Sequence, residues 1–145
     1  EKQCICSEYQ LQRYRSKLSG PLLDRIDLII NVPRLTTDEL INTSSEAEPS
    51  AKIRERVIRA RKLQAERYRN DGILTNSELN ARLIKKYCIL DGKTAEFLKT
   101  ASQKFHLSGR RYSRILKLAR TIADLGGKEN ITLEDVTQAL QYREG

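Results

Sequence analysis

The chain has 145 residues, and 27 Lys and Arg against 19 Asp and Glu give it a formal charge of +8 and a pI of about 9.6, a balance that favours anionic partners without naming one. No stretch approaches the ~20 apolar residues that a bilayer-spanning helix needs, and no signal-peptide pattern opens the chain. Membrane-spanning and secreted classes are therefore set aside, no membrane partner is expected, and the expected compartment is the cytoplasm. The first residue is Glu1 rather than Met, so the chain is expected to begin inside a longer protein that could carry targeting information of its own.

Three cysteines, Cys4, Cys6 and Cys88, are an odd number without secretory context, which argues against a disulfide framework. Cys4 and Cys6 are close enough to share one Zn²⁺. A closed structural site needs four donors, so the two are at most half of one, and reduced thiols are the plainer reading. In Ser19-Gly20-Pro21-Leu22-Leu23-Asp24-Arg25-Ile26-Asp27, Gly20-Pro21 is turn chemistry, and Pro21 to Asp24 can form one helical turn that leaves Arg25 at its end. An arginine placed so can reach across an interface or pair with Asp24 or Asp27. Leu28-Ile29-Ile30-Asn31-Val32, stopped by Pro33, reads as a parallel strand covered on both faces. Such a strand needs neighbours, and Ile73-Leu74 and Cys88-Ile89-Leu90 are too short to supply them, so the remainder of a sheet is expected upstream of Glu1. Residues 35–50 are Thr-, Ser- and Glu-rich and read as a linker.

From 51 onward the periodicity is helical. Ser50 after Pro49 can cap a helix from about Ala51 to Asn70, ended by Gly72, with Ile53, Val57, Ala60, Gln64 and Tyr68 on its buried stripe. Eight basic residues on this segment, among them Lys52, Arg56, Arg59 and Arg67, face only Glu55 and Glu66 within it. The charge fits a nucleic-acid track as well as a solvated helix face. Thr75 to Glu78 is a capping box opening a helix through Leu79 and Leu83, and Asp91-Gly92 marks the next turn. Ala95, Leu98, Ala101 and Phe105 give the following helix its apolar face. Ser108 caps a longer one with Ile115, Leu118, Ala119, Ile122 and Leu125 inward and Gly126-Gly127 at its end. Thr132 and Asp135 open a last helix with Val136, Ala139 and Leu140 inward. Cys88 reads as core, and His106 as a loop or helix-end residue.

No phosphate loop, paired Mg²⁺-binding acids or nucleophile–base arrangement is visible, so no complete active site is expected within these residues. Two blocks nevertheless carry a specific resemblance. Arg13-Tyr14, Lys17 to Leu28 and Val32-Pro33-Arg34, then Leu107 to Lys117, Ala119 to Leu125 and Tyr142-Arg143, resemble the Mg-chelatase-like AAA+ ATPases of the ComM/YifB type, relatives of the chelatase motor subunit and of MCM helicases. The resemblance implies a mainly α chain: a helical AAA+ lid bundle (51–145), preceded by a linker (35–50) and by the last strand and arginine-finger turn of an α/β AAA+ core (1–34). It implies that Arg25 is an arginine finger acting in trans on the nucleotide of an adjacent subunit. Arg110 then matches the sensor-2 arginine at the chain's own γ-phosphate, with Arg111 and Arg114 as neighbours that could be mistaken for it. ATP and Mg²⁺ are implied for the longer protein and no cofactor for these residues alone, which are expected to be inactive by themselves. Self-association into a ring, a hexamer, and DNA as a substrate for remodelling such as branch migration are implied as well. The family commonly has a further cysteine pair upstream, which would complete a metal loop begun by Cys4 and Cys6. Three other readings stay open: a metal-chelatase motor, an ATP-dependent protease-like protein, and a non-enzymatic nucleic-acid-binding module resting on the basic helix.

Overall fold

The computed structural model describes residues 5–17, 22, 25–35, 37–38 and 48–142. Among them are six α-helices, one 3₁₀ turn and no strand. Helix α1, Glu8–Arg15, opens on a capping box in which Ser7 Oγ accepts from the Gln10 N–H and Gln10 Oε1 accepts from the Ser7 N–H. The side chains of residues 8–14 face water, Tyr9 and Tyr14 among them.

Helix α2, Ser50–Arg67, starts from Pro49 in an extended conformation without a side-chain cap, so Ser50 is the first helical residue and not the cap expected of it. It ends at Tyr68, and Gly72, at φ 70°, takes the left-handed conformation that the following turn requires. Only the C-terminal half of its expected stripe is buried. Ala60, Gln64 and Tyr68 lie inside, whereas Ile53 and Val57 are 42% and 43% exposed, because the first half of the helix has no partner element over that face among the described residues.

The capping box at Thr75 forms, but it opens a 3₁₀ turn of three residues, Asn76–Glu78, rather than a continuous helix. Helicity restarts as α3, Ala81–Tyr87, because the Asn80 side chain accepts from the Leu83 N–H at 3.0 Å and so favours a new N-cap over a helix interior. Asp91 caps α4, Gly92–Lys104, through the Thr94 N–H. That helix buries Thr94, Leu98 and Ala101, while Ala95 and Phe105, expected inward, are exposed. His106 connects to the next helix at φ 47°.

Helix α5, Gly109–Leu125, capped by Ser108 through the Arg111 N–H, is the axis of the bundle: α2, the 3₁₀ turn, α3 and α6, Leu133–Gln141, all pack on it, and α4 packs on α6. Ala119 and Ala123 on α5 and Ala139 on α6 are fully buried, and such small side chains let two helix axes approach closely. Leu98, Ile115 and Val136 fill the remaining core. Gly127, at φ 68°, ends α5 with its N–H on Asp124 O and the next N–H, of Lys128, on Ala123 O. A Lys128–Asp135 ion pair at 2.9 Å and the Thr132–Asp135 capping box hold the start of α6.

The expected strand is not formed. Leu28, Ile30 and Val32 are 45%, 64% and 81% exposed, since no other segment among the described residues offers a sheet edge to pair with. The segment is held on the bundle instead, by the Ile29 N–H donating to Tyr142 O at 2.7 Å. The expected linker lies mostly outside the described residues. No described helix is long and apolar enough to cross a membrane.

Candidate functional site

The first turn of α5 holds Gly109, Arg110 and Arg111 and no acidic residue. A helix N-terminus already carries positive partial charge, so this end of the bundle favours an anion. Arg110 is exposed there, whereas Arg111 and Arg114 are half-buried and both engaged. Arg114 pairs with Asp27 at 3.2 Å, with its side chain 19% exposed against 62% for the aspartate.

That ion pair brings the expected arginine-finger turn against α5. Of Pro21 to Asp24 only Leu22 is described, and its carbonyl accepts from the Arg25 N–H at 2.9 Å, as a turn ending at Arg25 requires. The Arg25 side chain is exposed, and among the described residues no ion pair involves it. Asp27, a candidate partner for Arg25 on sequence grounds, is engaged by Arg114 instead.

Toward its C-terminal end α5 carries a polar cluster that periodicity did not reveal. Asp124, 1% exposed, accepts from both Nη atoms of Arg67 at 2.6 and 3.0 Å, from Gln64 at 3.1 Å and from Asn76 at 2.8 Å. Arg120 Nε reaches the same carboxylate at 3.1 Å, and the Arg120 Nη atoms donate to the carbonyls of Glu129 and Lys128, at 2.8 Å each. Tyr68 donates to Asn76 Oδ1, and Asn76 also donates to Thr121. Burial pushes the Asp124 carboxyl up, but the hydrogen bonds from Arg67 and Asn76 and the charges of both arginines outweigh it and hold the group below its ordinary range. Two cations and a fully bonded carboxylate thus fix the rotation of α5 relative to α2 and to the loop after α5. The available sequence signal was Arg120 and Asp124 at i, i+4; Arg67 is 57 residues away.

The same cluster corrects the picture of the basic helix. Arg67 is bonded to Asp124, and Arg56 makes a two-point pair with Glu48 at 2.7 and 2.9 Å, so acids outside α2 answer two of its four candidate residues. Lys52 and Arg59 are exposed. Cys4 lies outside the described residues. Cys6 is exposed just before the α1 cap, and among the described residues no group of three or more His, Cys, Asp or Glu is placed to hold a metal. Burial pushes the Cys88 thiol up to about 11, as befits a core residue.

Comparison with known proteins places this geometry. The family model for the C-terminal part of magnesium chelatase subunit ChlI matches residues 47–143, and the model for magnesium chelatase subunit ChlI matches residues 1–40. The competence protein ComM of Haemophilus influenzae is 45% identical over 94% of this chain and 26% of its own length. YifB of Salmonella typhimurium is 37% identical over 95% and 26%, and YifB of Escherichia coli 36% identical over the same shares. The chain thus spans about a quarter of the length of these relatives. With family models over both the Arg25 turn and the bundle, and relatives of this kind along nearly all of it, the chain belongs to the magnesium chelatase ChlI family, as a ComM/YifB-type AAA+ protein.

Proposed function

We propose that this chain supplies two arginines to ATP hydrolysis in an oligomeric ring: Arg25 in trans, to the nucleotide of the next subunit, and Arg110 in cis, to the γ-phosphate of its own. The observation that carries the reading is the contrast on α5, where Arg110 alone of the three nearby arginines stands exposed at an acid-free helix N-terminus while Arg114 is engaged by Asp27. A planar guanidinium at such an end suits phosphate oxygens. The fit to Mg²⁺ is different, because that first turn offers no carboxylate to the metal. ATP with Mg²⁺ supplies the phosphoryl group. The part played by Arg25 is to place positive charge where the transferring group gains negative charge, with little need for it in the ground state, whereas Arg110 contacts the γ-phosphate already in the bound state.

The motor's work is proposed to be on DNA, such as branch migration. Supporting this are the exposed Lys52 and Arg59 on α2 and the naming of the Haemophilus relative as a competence protein. A zinc site built from Cys4, Cys6 and an upstream pair is a weaker proposal, resting on resemblance.

The test uses the full-length protein. Arg110→Ala weakens binding of ATP more than of ADP, because the contact is to the γ-phosphate, and Arg25→Ala removes turnover while leaving ATP binding nearly intact. Equal loss of ATP and ADP affinity in Arg110→Ala would contradict the sensor assignment. Turnover that survives Arg25→Ala would contradict the finger.

A further inference from the structure

The segment that follows Arg25 is fastened to the bundle rather than to a sheet. Asp27 pairs with Arg114 at 3.2 Å, and the Ile29 N–H donates to the carbonyl of Tyr142, at the end of α6, at 2.7 Å. Leu28 and Ile30 face a cleft of about 490 Å³ whose other walls include Leu118 and Ile122 of α5 and Tyr142. The first of these fastenings comes two residues after Arg25, which keeps the finger's Cα within ~7 Å of that of Asp27. On α5, Arg114 stands one turn beyond Arg110, a rise of ~6 Å. The Asp124 cluster meanwhile makes α5 turn as one piece with α2 and the following loop. A shift of α5 at its N-terminal end therefore reaches Asp27 through its ion pair with Arg114.

We propose that Asp27 is a positioning residue: paired with Arg114, it ties the turn carrying Arg25 to α5, so that the nucleotide at Arg110 sets where Arg25 is presented to the next subunit. This rests on the reading of Arg25 and Arg110 given above. The pair suits coupling better than support. Asp27 is more than half exposed, so the ion pair contributes little to stability. The consequence is communication between sites: each subunit's finger is in place when its own site holds ATP, and hydrolysis around the ring becomes cooperative in ATP.

The experiment measures steady-state ATPase of the full-length protein against ATP concentration, together with equilibrium ATP binding and thermal unfolding. It compares wild type, Asp27→Asn, the exchanged pair Asp27→Arg with Arg114→Asp, and Arg25→Ala. Asp27→Asn is expected to lower kcat roughly tenfold and to flatten the sigmoidal ATP dependence toward a hyperbola, the size of effect typical of coupling between sites. Its ATP affinity and melting temperature are expected to stay near wild type, and the exchanged pair to recover most of both kcat and sigmoidicity. Wild-type kcat and sigmoidicity in Asp27→Asn, beside an inactive Arg25→Ala, would overturn the link and leave the finger standing. A loss in Asp27→Asn that comes with a lowered melting temperature and is not recovered by the exchange would overturn it as a structural effect. An active Arg25→Ala would overturn the finger and the link with it.

Discussion

Asp124 shows how a single carboxylate decides the geometry of the bundle. It is almost without solvent, yet it stays charged because two guanidiniums and two amides surround it. Removing one member of such a buried group leaves the others unpaired, so Asp124→Ala is expected to cost about 3–5 kcal/mol near neutral pH. Its folded-state pKa is depressed, so this stability is fully present above the ordinary carboxylate range and is lost as pH falls below that range through the folded value. Urea unfolding at several pH values checks both statements: the gap between wild type and variant is wide at neutrality and narrows in acid. A pH-independent gap would mean that the charge of Asp124 is not what holds the cluster. This residue was illegible in the sequence for a physical reason. Periodicity assigns acids to the outer face of a helix, and the cation that overrules that assignment, Arg67, lies on another helix. The exposed Arg110 was legible, because a cap at Ser108 followed by cations against the helix dipole is a local signal.

At the scale of elements, the helices were legible where a cap and an apolar stripe agreed, as for α6 and for α5, although Leu125, expected inward at the end of α5, is exposed. They were misjudged at α2, where Ser50 is not the cap expected of it, and after Thr75, where a second cap intervenes. Ile53 and Val57 have the spacing of buried residues, but spacing cannot tell whether a neighbour covers them. Asn80 broke the helix expected from Thr75 because a short acceptor side chain competes with the helix interior. For α2 the structure also changes which residues a nucleic-acid test should touch. Arg67 belongs to the Asp124 cluster, so replacing it would confound binding with stability. Lys52 and Arg59 are exposed, and replacing both with Ala is expected to leave the fold unchanged while lowering the slope of log affinity against log salt by about two units. Fluorescence anisotropy with single- and double-stranded oligonucleotides over a salt series measures it. An unchanged slope would make α2 a solvated face.

At the scale of the whole molecule, a mainly helical bundle carries an irregular segment, 28–32, whose sequence is that of a strand. No strand forms in these residues because hydrogen-bonding partners are a property of the sheet and not of the run itself, and among the described residues no sheet edge exists. On the proposed reading the same holds for catalysis, since two arginines without a phosphate loop would act only when other residues supply the nucleotide. The central claim is that Arg25 acts across a subunit boundary, and mixing tests it most directly. Full-length Arg25→Ala and a full-length phosphate-loop variant, each inactive alone, are combined in varying ratio and ATP turnover is measured. The account predicts that activity returns in the mixtures and peaks at intermediate ratios, where a subunit with an intact finger stands beside one with an intact nucleotide site. No recovery at any ratio, with mixed rings confirmed to form, would contradict it.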